Sequence, residues 1–203
     1  KITKGKNKKE KGGVVWHTQG SGKSLTMVFL AQVIRRNEEL KKYKLLYITD
    51  RTQLDSQLTS TFRNTQDETV LQADSVQDLR ELISKDSSDL ITSTIQKFQE
   101  IRGENLKPLN ESEKIVVLID EAHRTQYGTF GMVLNTVLPN AAKIAFTGTP
   151  LLKSELTTGE FGDYIDKYTI EQSVEDGATL QILYEGREVK TKVEGESLDN
   201  LFE

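Results

Sequence analysis

Residues 17–24 read His-Thr-Gln-Gly-Ser-Gly-Lys-Ser, an order that can cradle a phosphate. Gly20 and Gly22 allow the backbone to curl so that successive N–H groups point inward at an anion. Lys23 supplies a point charge for the outer phosphates of a triphosphate, and the Ser24 hydroxyl can ligate Mg²⁺. Apolar residues with helical periodicity follow, so a helix opening at Lys23 would add the positive end of its dipole to the same pocket. The loop departs from the strict G-x-x-x-x-G-K-[ST] spacing at its first position, where His17 stands in place of glycine. Thr18, Gln19, Gly20, Ser21, Gly22, Lys23 and Ser24 form the candidate phosphate-binding set. An ordinary flexible turn can be written with similar residues, so the loop needs a second half.

That half lies at 115–123, Ile-Val-Val-Leu-Ile-Asp-Glu-Ala-His. Five consecutive apolar residues suit a central parallel strand buried on both faces. Two carboxylates stand where that strand would end, the edge at which open α/β sheets bind ligands. Asp120 is placed to hold Mg²⁺, and Glu121 to orient or deprotonate the water that attacks a γ-phosphate. Two strand-borne halves of one phosphate–metal site, in the right order, point to ATP or a related triphosphate with Mg²⁺. Lys23, Asp120 and Glu121 are the catalytic candidates, and Ser24 with Asp120 the metal ligands. A third stretch, Ala-Lys-Ile-Ala-Phe-Thr-Gly-Thr-Pro at 142–150, again reads as strand then tight turn. Its hydroxyls, Thr147 and Thr149, could report whether the γ-phosphate is present, although the same residues also make plain turn chemistry.

The elements needed to position these loops are legible around them. Val14-Val15-Trp16 reads as a short strand feeding the phosphate loop. Leu25, Val28, Phe29, Val33 and Ile34 give the following helix its period, up to the charged run that begins at Arg35. Strands are expected at 45–49, 69–72 and 90–94, helices after Asp50 (on Leu54 and Leu58) and over 75–84. This alternation predicts a mainly parallel α/β sheet sandwiched by helices. Residues 102–113 read as a polar surface loop without a core. Residues 1–12 hold six lysines, Lys1, Lys4, Lys6, Lys8, Lys9 and Lys11, and read as a solvated linker.

Bulk composition excludes several classes. The 203 residues hold no cysteine and only two histidines, which rules out disulfides and argues against a zinc site. No apolar run is long enough to cross a bilayer and no signal-peptide pattern opens the sequence, so a cytoplasmic protein without a membrane is expected. A net charge of −4 speaks against a uniformly basic surface that coats nucleic acid, and leaves room only for a local patch.

The strings 19–24, 120–123 (Asp-Glu-Ala-His) and 146–150 (Phe-Thr-Gly-Thr-Pro) together resemble motifs I, II and III of superfamily-two helicases and translocases. Trp16 through Ser24, Thr-Asp-Arg-Thr-Gln-Leu-Asp-Ser-Gln-Leu (49–58), residues 120–128 and Gly177-Ala-Thr narrow the likeness. They resemble the motor region of type I restriction enzyme R subunits, over about residues 12–190. The resemblance implies a RecA-like P-loop NTPase fold and an ATP-dependent motor that pulls double-stranded DNA past itself. It further implies cleavage by a nuclease domain elsewhere, and methyltransferase and specificity subunits as partners. His123, Thr147 and Thr149 would couple nucleotide state to DNA. Asp50, Arg51 and Gln53, with Ser93, Thr94, Gln96 and Lys97, would track the DNA backbone.

On this basis residues 13–160 are expected to form the first RecA-like lobe. Residues 161–203 would be a β-rich connector toward a second lobe, whose arginine would complete the ATP site. The stretch looks like a piece of something longer. Glu188-Val-Lys190 spells half of a nuclease motif but lacks an upstream aspartate in a strand, so it is read as chance. Two other readings stay open: a different superfamily-two helicase or remodelling ATPase, and a nucleotide-binding regulatory domain with vestigial ATPase.

Overall fold

The computed structural model describes residues 2, 5, 8–49, 70–101, 106–120, 127–149 and 161–181. Within them the strands are β1 (Gly13–His17), β2 (Lys44–Thr49), β3 (Val70–Gln72), β4 (Leu90–Thr94), β5 (Ile115–Ile119), β6 (Ala142–Thr147) and β7 (Tyr164–Tyr168). The helices are α1 (Lys8–Lys11), α2 (Lys23–Arg36), α3 (Val76–Ser84), α4 (Ile95–Glu100), α5 (Tyr127–Val137) and α6 (Ile170–Glu175). The strands form one seven-stranded sheet in the order β3-β4-β2-β5-β6-β1-β7, and every pairing is parallel.

A parallel sheet covered on both faces needs strands apolar on both sides, and alternation along each strand delivers this. Leu46 and Ile48 of β2, with Val117 and Ile119 of β5, join α3, α4 and α5 in one core. Leu45 and Tyr47, with Val116 and Leu118, join α2 in the other. On the first face the rings of Phe98 and Phe130 meet edge-on at 6.0 Å, a favoured aromatic geometry. On the second, the Tyr47 hydroxyl donates to the carbonyl of Met27 in α2. The Arg35 guanidinium donates to the Tyr43 carbonyl at 2.6 Å and the Ser88 carbonyl at 2.7 Å, which fixes the far end of α2 to the entries of β2 and β4. Helix α3 opens on Ser75, whose side chain accepts from the Asp78 N–H, a standard N-cap.

Three expectations need amendment. The helix after Lys23 forms, but its buried face is Met27, Val28, Ala31 and Ile34. Leu25, Phe29 and Val33 are exposed. They stand four residues apart on one stripe, so they report the helical period while lying off the face that packs. The stretch 102–113 is not without a core, because Leu106 and Leu109 pack against the first cluster. The N–H groups of Leu109 and Asn110 donate to the Val137 carbonyl, and Asn110 Nδ2 donates to the Ile83 carbonyl at 2.8 Å. Two apolar residues in a polar setting suffice to dock it. Finally, residues 164–168, read as part of a connector, are the edge strand β7 of the same sheet, paired with β1. The lysine-rich segment contributes the single turn α1, whose Lys11 pairs with Glu113 at 2.8 Å. The expected helix on Leu54 and Leu58 and the segment 182–203 lie outside the described residues.

Candidate active site

Strands β5, β6 and β1 are neighbours in the sheet, so the three motifs that follow them emerge side by side at its carboxyl edge. Register sets Trp16 level with Thr147 and Ile119 level with Ala145.

The phosphate loop turns from β1 into α2 through two glycines in the left-handed region, Gly20 at φ 84 and Gly22 at φ 90. Residues with a Cβ enter that region under strain. A Cβ on Gly22 would meet nothing within 4 Å, so backbone conformation rather than crowding demands glycine there. Gly22 is also the N-cap of α2, and it offers no side chain to the first turn, which holds no acidic residue. The leading N–H groups of α2 thus gain no acceptor from their own cap, at the positive end of a helix of fourteen residues. Such an end favours an anion, and the cradle fits a phosphate. Ser21 closes the turn, its hydroxyl donating to the Thr18 carbonyl at 2.6 Å. Ser24 is half-buried in the first turn of α2.

Lys23 is buried to 8% exposure and reaches across to the turn after β6. A Cβ placed on Gly148 would lie 2.9 Å from Lys23 Nζ and 3.5 Å from the Gln19 backbone nitrogen. Glycine at 148 is therefore what lets the third motif approach the first. In that turn the Thr147 hydroxyl donates to the Thr149 carbonyl at 3.0 Å. Thr147 is buried and Thr149 exposed.

Asp120 follows β5, is buried to 3% exposure, and donates its backbone N–H to the Ile48 carbonyl at 2.8 Å. Its negative charge is felt by Tyr47: burial first, then Asp120, raises that phenol well above its ordinary value. Among the described residues no group of three His, Cys, Asp or Glu could by itself hold a metal. Mg²⁺ commonly takes one or two protein oxygens and completes its shell with phosphate and water. Ser24 and Asp120 are the side chains of that kind at this edge.

The other candidates fall elsewhere. Ser93 and Thr94 end β4, which β2 separates from β5, and both are buried. Gln96 is exposed and Lys97 half-buried on α4. Glu121, His123, Asp50, Arg51 and Gln53 lie outside the described residues.

Sequence reasoning missed the flank that β7 and α6 give the loop. His17 Nε2 lies 2.7 Å from Asp166 Oδ2, and the His17 ring meets Tyr168 edge-on at 5.7 Å. The Thr18 N–H donates to the Tyr168 carbonyl at 3.0 Å. Beyond α6, a Cβ on Gly20 would lie 3.6 Å from Thr179 Cγ2. The sequence signals were the histidine standing where the strict pattern wants glycine and the string Gly177-Ala-Thr, neither of which says that the two meet.

A parallel sheet with a glycine loop, a buried lysine and a strand-end aspartate at its carboxyl edge defines a RecA-like P-loop ATPase lobe. The chain belongs to the SWI2/SNF2 ATPase family, whose profile matches residues 1–203. It is similar to the type I restriction enzyme MjaIXP endonuclease subunit of Methanocaldococcus jannaschii, at 39% identity over 94% of this chain. It is also similar to the type I restriction enzyme HindI endonuclease subunit of Haemophilus influenzae, at 40% identity over 85% of this chain. The chain spans 18% of the length of each of these relatives. In fold it resembles a nuclease-deletion mutant of the Type ISP restriction-modification enzyme LlaGI, solved with a DNA substrate mimic. That match has a TM-score of 0.58 and 17% identity, and covers 82% of this chain and 19% of the other. The resemblance read from the motifs therefore holds. Among the described residues no helix is long and apolar enough to cross a membrane.

Proposed function

We propose that this chain is the first RecA-like lobe, residues 13–160 with the β7 edge added, of the motor of a type I restriction endonuclease R subunit. It uses ATP hydrolysis to move double-stranded DNA before a nuclease domain elsewhere cleaves it. The observation that carries this reading is the convergence at one sheet edge. A glycine-capped helix start, Lys23 near Gly148, and buried Asp120 stand at the carboxyl ends of the neighbouring strands β1, β6 and β5.

In this reading the loop N–H groups of residues 19–24 bind the phosphates, and Lys23 neutralises the charge that builds on them. Ser24 and Asp120 hold Mg²⁺, which supplies charge stabilisation across the outer phosphates when bound. Glu121 orients the attacking water. Thr147 and Thr149, in the turn that touches Lys23, sense the γ-phosphate and, with His123, pass its state toward the DNA. Of the candidates for tracking the DNA backbone, Arg51, Gln53, Gln96 and Lys97 have the chemistry to contact phosphates, which fixes register without reading sequence, whereas Ser93 and Thr94 are buried and Asp50 is itself an anion. A second RecA-like lobe completes the site, and methyltransferase and specificity subunits are the partners, in the cytoplasm. The relatives' names and their 39% and 40% identity to this chain support the restriction assignment.

The test is ATPase turnover of the full-length parent with and without long unmodified duplex DNA, in wild type and Glu121→Gln. Turnover stimulated by duplex and lost in the variant is expected. Turnover indifferent to DNA would replace the motor with a nucleotide-switch domain.

A further inference from the structure

Phosphate loops with a glycine at the first position gain their shape from the loop itself. Here that position is a buried histidine, and the loop is gripped from outside along its length. His17 bonds Asp166 at 2.7 Å, the Thr18 N–H bonds the Tyr168 carbonyl at 3.0 Å, and Thr179 stands against Gly20. The gripping segment is itself braced. Thr169 and Gln172 form a capping box at the start of α6, the Tyr168 hydroxyl donates to Asp176 at 2.8 Å, and Gly177 turns the chain at φ 69. After that turn the N–H groups of Ala178 and Thr179 donate to the Ser173 carbonyl at 2.9 Å and 3.1 Å. The Thr179 and fully buried Ser173 hydroxyls lie 2.7 Å apart, which fixes the threonine rotamer and aims its methyl at the loop.

We infer that β7 and the α6 turn are a brace that holds the phosphate loop in its binding conformation before nucleotide arrives. Asp166 (through His17) and Thr179 (through Gly20) are its positioning residues. A loop containing two left-handed glycines loses much conformational freedom when it orders around a phosphate. Contacts that order it in advance remove that cost from the binding step. The inference rests on the assignment of residues 18–24 as the ATP loop.

The test is ATP affinity with Mg²⁺ by isothermal titration of the full-length parent, with melting temperatures recorded in parallel. Asp166 is an exposed edge-strand residue, so Asp166→Ala removes the anchor without opening the core. Asp166→Ala and Thr179→Ala are each expected to weaken ATP binding by about three- to tenfold through lost preorganisation, at unchanged melting temperature. Asp166→Asn keeps an acceptor for His17 and is expected to stay within about twofold of wild type. Wild-type affinity in both alanine variants overturns the brace. So does a loss that tracks a fall in melting temperature, or one that Asp166→Asn fails to rescue. A wild-type parent with no affinity for ATP would instead bring down the ATP-loop assignment itself.

Discussion

Of the three lysines buried among the described residues, Lys44 and Lys23 stand at opposite ends of the sheet and differ in their use. Lys44 opens β2 at the amino edge. Its Nζ donates to the carbonyls of Leu82, Ile83 and Lys85, so a cation sits at the negative end of α3, where helix electrostatics favour it. Lys23 opens α2 at the carboxyl edge. A cation at the positive end of a helix is disfavoured by the same dipole, unless an anion comes between. Lys44 closes a helix end; Lys23 lies beside the phosphate loop and the turn after β6, where the proposed function has it meet a phosphate. Stability and function thus occupy different edges of one sheet.

The sharpest way to break this contrast is Lys23→Ala. ATP affinity is expected to fall by about a hundredfold or more, as befits loss of a charge-assisted contact to phosphate. The melting temperature should stay at or above that of wild type. A clear fall in melting temperature would mean that Lys23 is structural too. Lys44→Met should do the reverse. It leaves the Leu82 and Lys85 carbonyls without that donor, while the Ile83 carbonyl keeps Asn110 Nδ2. A loss of about 1–3 kcal/mol is expected from chemical denaturation, with ATP affinity unchanged. Gly148→Ala probes the approach of the third motif to Lys23. The new Cβ would crowd the flexible end of that side chain, so a several-fold weaker affinity for ATP is expected with little change in unfolding. An unaltered titration curve would show the approach to be unnecessary.

The smallest effect is in pH. Burial pulls the Lys44 ammonium below its ordinary value of 10.5, against the partial opposition of Asp89 and Asp86. Between that lowered value and 10.5 the unfolded chain binds the extra proton, so this group makes stability rise with pH in that interval. Below the interval the contribution is flat. Lys44→Met should remove the rise, and an identical pH–stability curve in the variant would show that Lys44 carries none of it.

Much of the site was readable because its chemistry is local. A glycine loop before a helix, and a carboxylate after five apolar residues, need only a few neighbours to be recognised. The strand alternation likewise announced a sheet buried on both sides. What escaped was whatever depends on strands meeting across the chain. Asp166 carries no motif and Thr179 is known only as the end of the string Gly177-Ala-Thr, and the pairing of β7 with β1 is what brings them to His17 and Gly20. Leu25, Phe29 and Val33 show the same limit from another side. Period identifies a helix, but the sheet decides which stripe of it is covered.

The strand order has a consequence for synthesis. Strand β1, which carries the phosphate loop, lies between β6 and β7 and pairs Gly13 with Ile144 and His17 with Tyr168. Its partners are among the last strands of the described fold to leave the ribosome. Closing such long loops is slow, because the chain must be brought together before the contacts reward it. Until then Val14 and Val15 remain an apolar segment without neighbours on either side. A nascent chain would present its nucleotide loop early and possess a nucleotide site only at the end.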